Sequence, residues 1–266
     1  MKLFVTCVLF ASCLFSAHVS MAQTSDAPIE ITADKTLEWH RGKNQYVANG
    51  NAAVKQGTTT IRGASITADY RKGETSDTEI YRMTAKDAVS IEDSNGNATG
   101  DLLVYEVDSG IATMTGKSLK MTSPEQTVTA TDKFEYHMNT GRLNAIGNAK
   151  VISGEHTLTA HQVSAFIGKE KTGKQSVDKM EATGRVKIVT PDETLTGDRA
   201  TYDAKNRKAI VVGNVKILRG QNELTGERAE VDLATNISKL FGNSIEDGQV
   251  GGGRVRGVFY PSSKGQ

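Results

Sequence analysis

Gly184-Arg-Val-Lys-Ile-Val189, followed by Leu195-Thr-Gly-Asp-Arg-Ala-Thr201, returns 29 residues later as Gly213-Asn-Val-Lys-Ile-Leu218 and Leu224-Thr-Gly-Glu-Arg-Ala-Glu230. Each half alternates apolar and polar residues. Val186 and Ile188 flank Lys187, and Val215 and Ile217 flank Lys216. That period of two is the mark of a strand with one wet face. A unit recurring at this interval points to an array of small β-elements stacked side by side.

Weaker copies fill the chain on the N-terminal side. Gly50-Asn-Ala-Ala-Val54 leads to Ile61 and on to Tyr70, Ala88-Val-Ser-Ile91 ends at the tight-turn signal Asn95-Gly96, and Gly147-Asn-Ala-Lys-Val151 pairs with Leu158 to Val163. Glycines 116, 147, 184, 213 and 242 stand near the predicted strand starts, at spacings of 31, 37, 29 and 29. With about two strands per unit, roughly 14–16 strands are predicted, and no segment has helical periodicity. The fold class is therefore all-β.

In the second half of each unit the apolar parity flips. Leu195 is odd-numbered while Ala200 and Tyr202 are even; Leu224 is even while Ala229, Val231 and Leu233 are odd. A straight strand cannot bury both sets, because side chains alternate strictly between faces. A glycine sits at each crossover: Gly63, Gly197 and Gly226. The pattern predicts a repeated bulge or corner that rolls the sheet so that both sets face inward.

Composition limits the function. The chain has 266 residues, 37% of them hydrophobic and 6% aromatic, which suits a thin sheet-built body. Lys2, an apolar run from Leu3 to Phe15, and Ser20-Met-Ala22 read as a secretory signal peptide, residues 1–22. A lipid-anchored reading at Cys13 is the lesser alternative. Both cysteines, Cys7 and Cys13, lie in that segment, so the mature chain is expected to lack disulfides, thiolate ligands and a cysteine nucleophile. Removing Lys2 from the 32 basic residues leaves 31 against 31 acidic ones, a balance that argues against nucleic-acid binding. No catalytic residue, metal site or cofactor is expected. His156 and His161 fall on opposite faces of a strand, Asp93-Ser-Asn95 lacks the acidic end of a calcium loop, and Ser176-Val-Asp-Lys179 has no companion motif. Residues 23–247 are read as one β-domain and residues 248–266 as a Gly-rich linker with a short strand or tail.

Pro28-Ile-Glu-Ile-Thr-Ala-Asp34, Gly50-Asn-Ala-Ala-Val-Lys-Gln-Gly57 and the stretch from Ile61 to Tyr70 resemble the opening of the OstA-like family of lipopolysaccharide-transport proteins, and the Gly-Asn-Val-Lys-Ile and Leu-Thr-Gly-Glu/Asp-Arg-Ala units repeat that signature. The resemblance covers nearly the whole mature chain. It implies an elongated, twisted, open β-jelly-roll in the periplasm that takes lipopolysaccharide acyl chains into an apolar groove. The inward residues Val54, Ile66, Leu103, Phe134, Val163, Val186, Ile188, Tyr202, Val215, Ile217 and Val231 are expected to line it. It also implies head-to-tail stacking by edge-strand pairing, with further copies and with inner-membrane-anchored and outer-membrane members of the same bridge. Ile29, Ile31, Leu37 and Trp39 would serve at one end, and Val255, Val258 and Tyr260 at the other. Two other readings stay open: a structural β-solenoid repeat protein, and a polysaccharide-active β-solenoid enzyme. The first would have a fully packed interior. The second should carry one unit with a unique Asp, Lys or Arg cluster, and the sequence has none.

Overall fold

A computed structural model of the chain describes residues 28–74, 77–169, 175–232, 234–235, 237–242, 245–246, 249–250 and 253–260. The signal peptide expected at 1–22 lies outside them. The described residues are almost wholly strand: β1 (Glu30–Thr32), β2 (Thr36–His40), β3 (Gln45–Gln56), β4 (Thr59–Arg71), β5 (Glu79–Asp93), β6 (Gly96–Glu106), β7 (Ile111–Thr115), β8 (Leu119–Thr122), β9 (Thr127–Ala130), β10 (Lys133–His137), β11 (Arg142–Ser153), β12 (His156–Lys169), β13 (Gln175–Val189), β14 (Thr194–Asp203), β15 (Lys208–Arg219), β16 (Asn222–Asp232), β17 (Ile237–Phe241), β18 (Ile245–Glu246), β19 (Gln249–Val250) and β20 (Arg256–Val258). One 3-10 turn, Arg41–Lys43, joins β2 to β3.

The described residues fall into two compact units. The first comprises residues up to 148 together with 166–176, the second residues 149–165 and those from 177 onward. The span 23–247, read from the sequence as one domain, runs through both. In each unit consecutive strands pair antiparallel, as in β3–β4–β5–β6 and β13–β14–β15–β16.

Some layers are continuous long strands and others are broken into two short ones. β1 and β2 both lie along β3, β7 and β8 along β6, and β17 and β20 along β16. β10 and β9 are likewise halves of one layer, facing β7 and β8. With each broken pair counted once and the small β18–β19 hairpin set aside, the strands make fourteen layers, within the range the repeat count predicts. The arrangement is an all-β, jelly-roll-like roll of sheet.

The corner predicted from the parity flip is present. Between Thr183 and Val186 two residues on β13 oppose one on β14, and β3–β4, β5–β6 and β15–β16 shift register in the same way. This is the two-against-one count of a β-bulge, which bends the strand and re-aims its side chains. The extra residues, however, sit on the strand before the glycines read as crossovers. They are consecutive left-handed pairs: Gly50-Asn51, Asp87-Ala88, Gly184-Arg185 and Gly213-Asn214. Gly147, Gly184 and Gly213, read as strand starts, therefore lie in the middle of β11, β13 and β15. A Gly-Asn pair at positive φ carries the sequence signal of a turn, but here the strand continues through it.

Candidate functional site

The bulges set up a crease. The residue that follows each left-handed pair is Ala52, Val89, Val186 or Val215, all at most 2% exposed. Each faces a glycine across the ladder: Gly63, Gly100, Gly197 and Gly226 respectively. The missing Cβ leaves room for the folded-over arm. Gly197 illustrates the need, since a Cβ there would stand 2.5 Å from Val211 Cγ1.

On either side of the crease the inward positions form ladders of apolar side chains. In the first unit Ile66, Ala85, Leu103, Met114, Phe134 and Ala145 are successive facing partners across β4 to β11. On its other arm Ile31, Val54, Ile61, Ile91 and Ala98 run in the same way. In the second unit Ile188, Leu195, Ile217 and Leu224 form one ladder, and Met180, Tyr202, Ala209 and Val231 another.

Of the eleven positions expected to line a groove, Val54, Ile66, Leu103, Phe134, Val163, Val186, Ile188, Tyr202, Val215 and Val231 are buried, and Ile217 is half-buried. Val54, Ile66, Leu103 and Phe134 belong to the first unit, the other seven to the second. Lys187, between Val186 and Ile188, is exposed. Three tyrosine phenols reach partway into the interior uncharged. Burial pushes the phenols of Tyr105, Tyr136 and Tyr202 above the ordinary tyrosine value, so they remain protonated at neutral pH. Among the described residues no group of three or more His, Cys, Asp or Glu side chains is placed to hold a metal ion. Asp93 closes the β5–β6 turn, with Oδ1 accepting from the backbone N–H of Asn95 at 2.7 Å and of Gly96 at 3.1 Å.

The terminal strands form a second kind of surface. In the described registers β1 and β2 pair with β3 alone, and β17 and β20 with β16 alone. Ile29, Leu37 and Trp39 are exposed and Ile31 is half-buried at one end. At the other, Val255 and Tyr260 are exposed and Val258 is half-buried. Phe259, at 66%, is the most exposed large apolar side chain among the described residues, and Ile237 stands at 52%. Sequence reasoning passed over both, although Phe259 lies between two residues it selected. Trp39 is held in place: its indole N–H donates to Tyr70 Oη at 2.8 Å, its ring stacks on Tyr46 at 5.7 Å between centroids, and the Arg41 guanidinium lies 4.3 Å above it. Beside it Glu38 contacts the His40 ring at 2.6 Å and accepts from Thr36, and these bonds, the first above all, hold its carboxyl below the usual glutamate range.

A family model described as LptA/(LptD N-terminal domain) LPS transport protein matches residues 30–132 and again residues 127–237. The chain belongs to this family. Its role is in lipopolysaccharide transport. The second match starts at 127, 97 residues after the first at 30. At that offset Leu37-Glu-Trp-His40 becomes Phe134-Glu-Tyr-His137, Gly50-Asn51 becomes Gly147-Asn148, and Ile66 becomes Val163. The family signature thus occurs twice, a duplication hidden beneath the shorter repeat of about 30 residues. The chain is also 29% identical over 154 residues to an uncharacterized protein of Rhizobium meliloti (strain 1021), covering 52% of this chain and 82% of the relative. A solved structure found by comparison is that of LptH, described as the LptA homologous periplasmic component of the conserved lipopolysaccharide transport device from Pseudomonas aeruginosa. It shares 12% identity, covers 88% of this chain and 96% of its own, and superposes with a TM-score of 0.24.

Proposed function

We propose that the protein is a non-enzymatic periplasmic carrier that holds lipopolysaccharide by its acyl chains and bridges the inner and outer membranes during transport. The observation that carries this reading is the pair of family matches laid over apolar ladders that face inward on both sides of a bulged crease. Val54, Ile66, Leu103 and Phe134 of the first unit, and Val163, Val186, Ile188, Tyr202, Val215, Ile217 and Val231 of the second, supply the acyl-chain contacts. Each buried methylene contributes about 0.8 kcal/mol, so a few turns of acyl chain against these rows outweigh any single polar contact. The phosphorylated sugar head stays in water. An exterior of mixed charge is compatible with that, since exposed ion pairs such as Arg71–Asp108 at 2.8 Å leave little net field.

The open terminal edges are the docking surfaces. An unpaired strand edge is normally a hazard, and strand addition turns it into a joint. Residues 29–39 at one end, and 255–260 with Ile237 at the other, join the inner-membrane-anchored and outer-membrane members of the bridge and further copies of this chain.

The test is binding of the purified protein to intact and to fully deacylated lipopolysaccharide. Saturable binding of the intact form alone supports the acyl-chain reading. Equal binding of both forms, or of neither, contradicts it.

A further inference from the structure

Tyrosine is distributed unevenly over the inward faces. In the first unit Trp39, Tyr46, Tyr105 and Tyr136 belong to one ladder row, joined strand by strand through Ala68, Met83 and Ala112. Tyr70 adds to it from β4. Its ring lies 5.1 Å from that of Tyr46, and its hydroxyl accepts from the Trp39 indole. The second unit repeats the arrangement in part. Met180 faces Tyr202 and Tyr202 faces Ala209, the trio of Met83, Tyr105 and Ala112 moved on by 97 residues. Five of the seven tyrosines in the chain therefore stand in these two rows or against them, on the same side of the crease in their own units.

The row has a fixed place on its arm. It lies two residues farther from the crease than the buried row of Ile66, Leu103 and Phe134, and so on the same face. Beyond it the arm opens to water. Two residues on from Tyr105 and Tyr136, Val107 and Met138 are 37% and 46% exposed. Among the described residues the opposite arm has no such row. Its aliphatic ladder of Val54, Ile61, Ile91 and Ala98 gives way, two residues outward, to Gln56, Thr59, Asp93 and Gly96. In the second unit Ile217 and Leu224 give way to Arg219 and Asn222. One arm thus passes from aliphatic to polar at a single step, and the other passes through a layer of aromatic rings that carry hydroxyls.

We propose that the aromatic row is a rim that seats the sugar ring next to the acyl chains, so that the head of the lipid leaves the interior over this arm and not over the other. This rests on the acyl-chain reading above and adds the place where the ligand changes character. That place is the bond between acyl chain and sugar, apolar on one side and wet on the other. Tyrosine and tryptophan match it, with a flat apolar body and a polar tip. A pyranose ring presents C–H bonds on its face and hydroxyls at its edge, so it packs flat on an aromatic ring and bonds to the phenol. Trp39 and Tyr46, stacked at 27° between their planes, offer such a surface at one end of the row. An aliphatic ladder that ends in a polar turn offers the sugar no flat ring.

The test compares two ligands on the purified protein: intact lipopolysaccharide, which carries the sugar, and palmitate, which is an acyl chain without one. Tyr105→Leu, Tyr136→Leu and Tyr202→Leu are combined, so that both units are altered and the wall stays apolar. Affinity for lipopolysaccharide should fall about two- to tenfold, the range for one or two lost hydrogen bonds or ring contacts, while affinity for palmitate stays within about twofold. Equal loss for both ligands, or loss for neither, overturns the rim and leaves the acyl-chain reading standing. Wild-type protein that binds neither ligand overturns both. The combined Tyr→Phe variant covers a leucine variant that does not fold, since it keeps the rings and removes only the hydroxyls. It should weaken lipopolysaccharide about two- to fivefold and leave palmitate unchanged. Where the leucine variant fails to fold, unchanged lipopolysaccharide binding by the phenylalanine variant overturns the rim.

Discussion

Val186 faces Gly197 across the β13–β14 ladder, one step past a two-residue bulge. The two are a matched pair, with a 2%-exposed valine on one strand and no Cβ on the other. The first expected outcome follows. Gly197→Ala places a Cβ 2.5 Å from Val211 Cγ1 and overpacks the crease. It should lower stability by about 1–3 kcal/mol in urea unfolding. An unchanged midpoint would mean that the arm is free to move away.

Phe134 sits 4% exposed between Met114 and Ala145 in the first unit's interior. Phe134→Ala should cost about 3–5 kcal/mol, the range for a large aromatic removed from a packed site. Lys187→Ala, at an exposed position on β13 of the second unit, should stay within about 0.5 kcal/mol. Comparable losses for both would mean that the two faces are not distinguished.

Glu135 touches Lys133 and His137 on its own strand, and those bonds hold its carboxyl below the usual glutamate value of 4.5. A carboxylate depressed in the folded state stabilises the protein above its unfolded value. That stabilisation is lost as pH falls through the folded one. Glu135→Gln should therefore be less stable than the wild type at neutral pH, with the gap closing below about pH 4. Urea unfolding across pH 3–7 (about the range over which a carboxylate titrates) reads this directly. A gap independent of pH would place the effect in packing.

Trp39 is the only tryptophan in the chain, and it is 49% exposed on the terminal edge. Its emission therefore reports on that edge alone. Strand addition that covers β2 should shift the emission to the blue as protein concentration rises, in step with sedimentation. Tyr70→Phe removes the acceptor of the indole N–H and should alter the emission of the uncovered state as well. Assembly without a shift would direct the contact away from β2.

Much of this was legible in the sequence because the physics is local. The period of two around Lys187 and Lys216 marks strands, and the parity flip beyond Gly197 and Gly226 marks a bend. What the sequence obscured was on which strand the bend is made. Gly213-Asn214 has the chemistry of a turn, and only the partner strand β16, running past it with one residue against two, reveals a bulge. Gly100 was missed as a crease glycine because its unit has diverged and Asp87-Ala88 replaces the Gly-Asn pair. The duplication of 97 residues was hidden for a related reason: the 29-residue echo between residues 184 and 213 is the stronger signal. Phe259 and Ile237 escaped notice because exposure at a sheet's end depends on which strands lack a neighbour.

Whether the inward rows hold lipid is decided by site-specific photo-crosslinking in living cells. The probe is placed in turn at Ile66, Val186, Val215 and, as an outward control, Lys187. Lipopolysaccharide adducts are expected at the three inward positions and none at Lys187. Adducts at Lys187 alone, or at none of the inward positions in folded and exported protein, would contradict lipid binding by these rows.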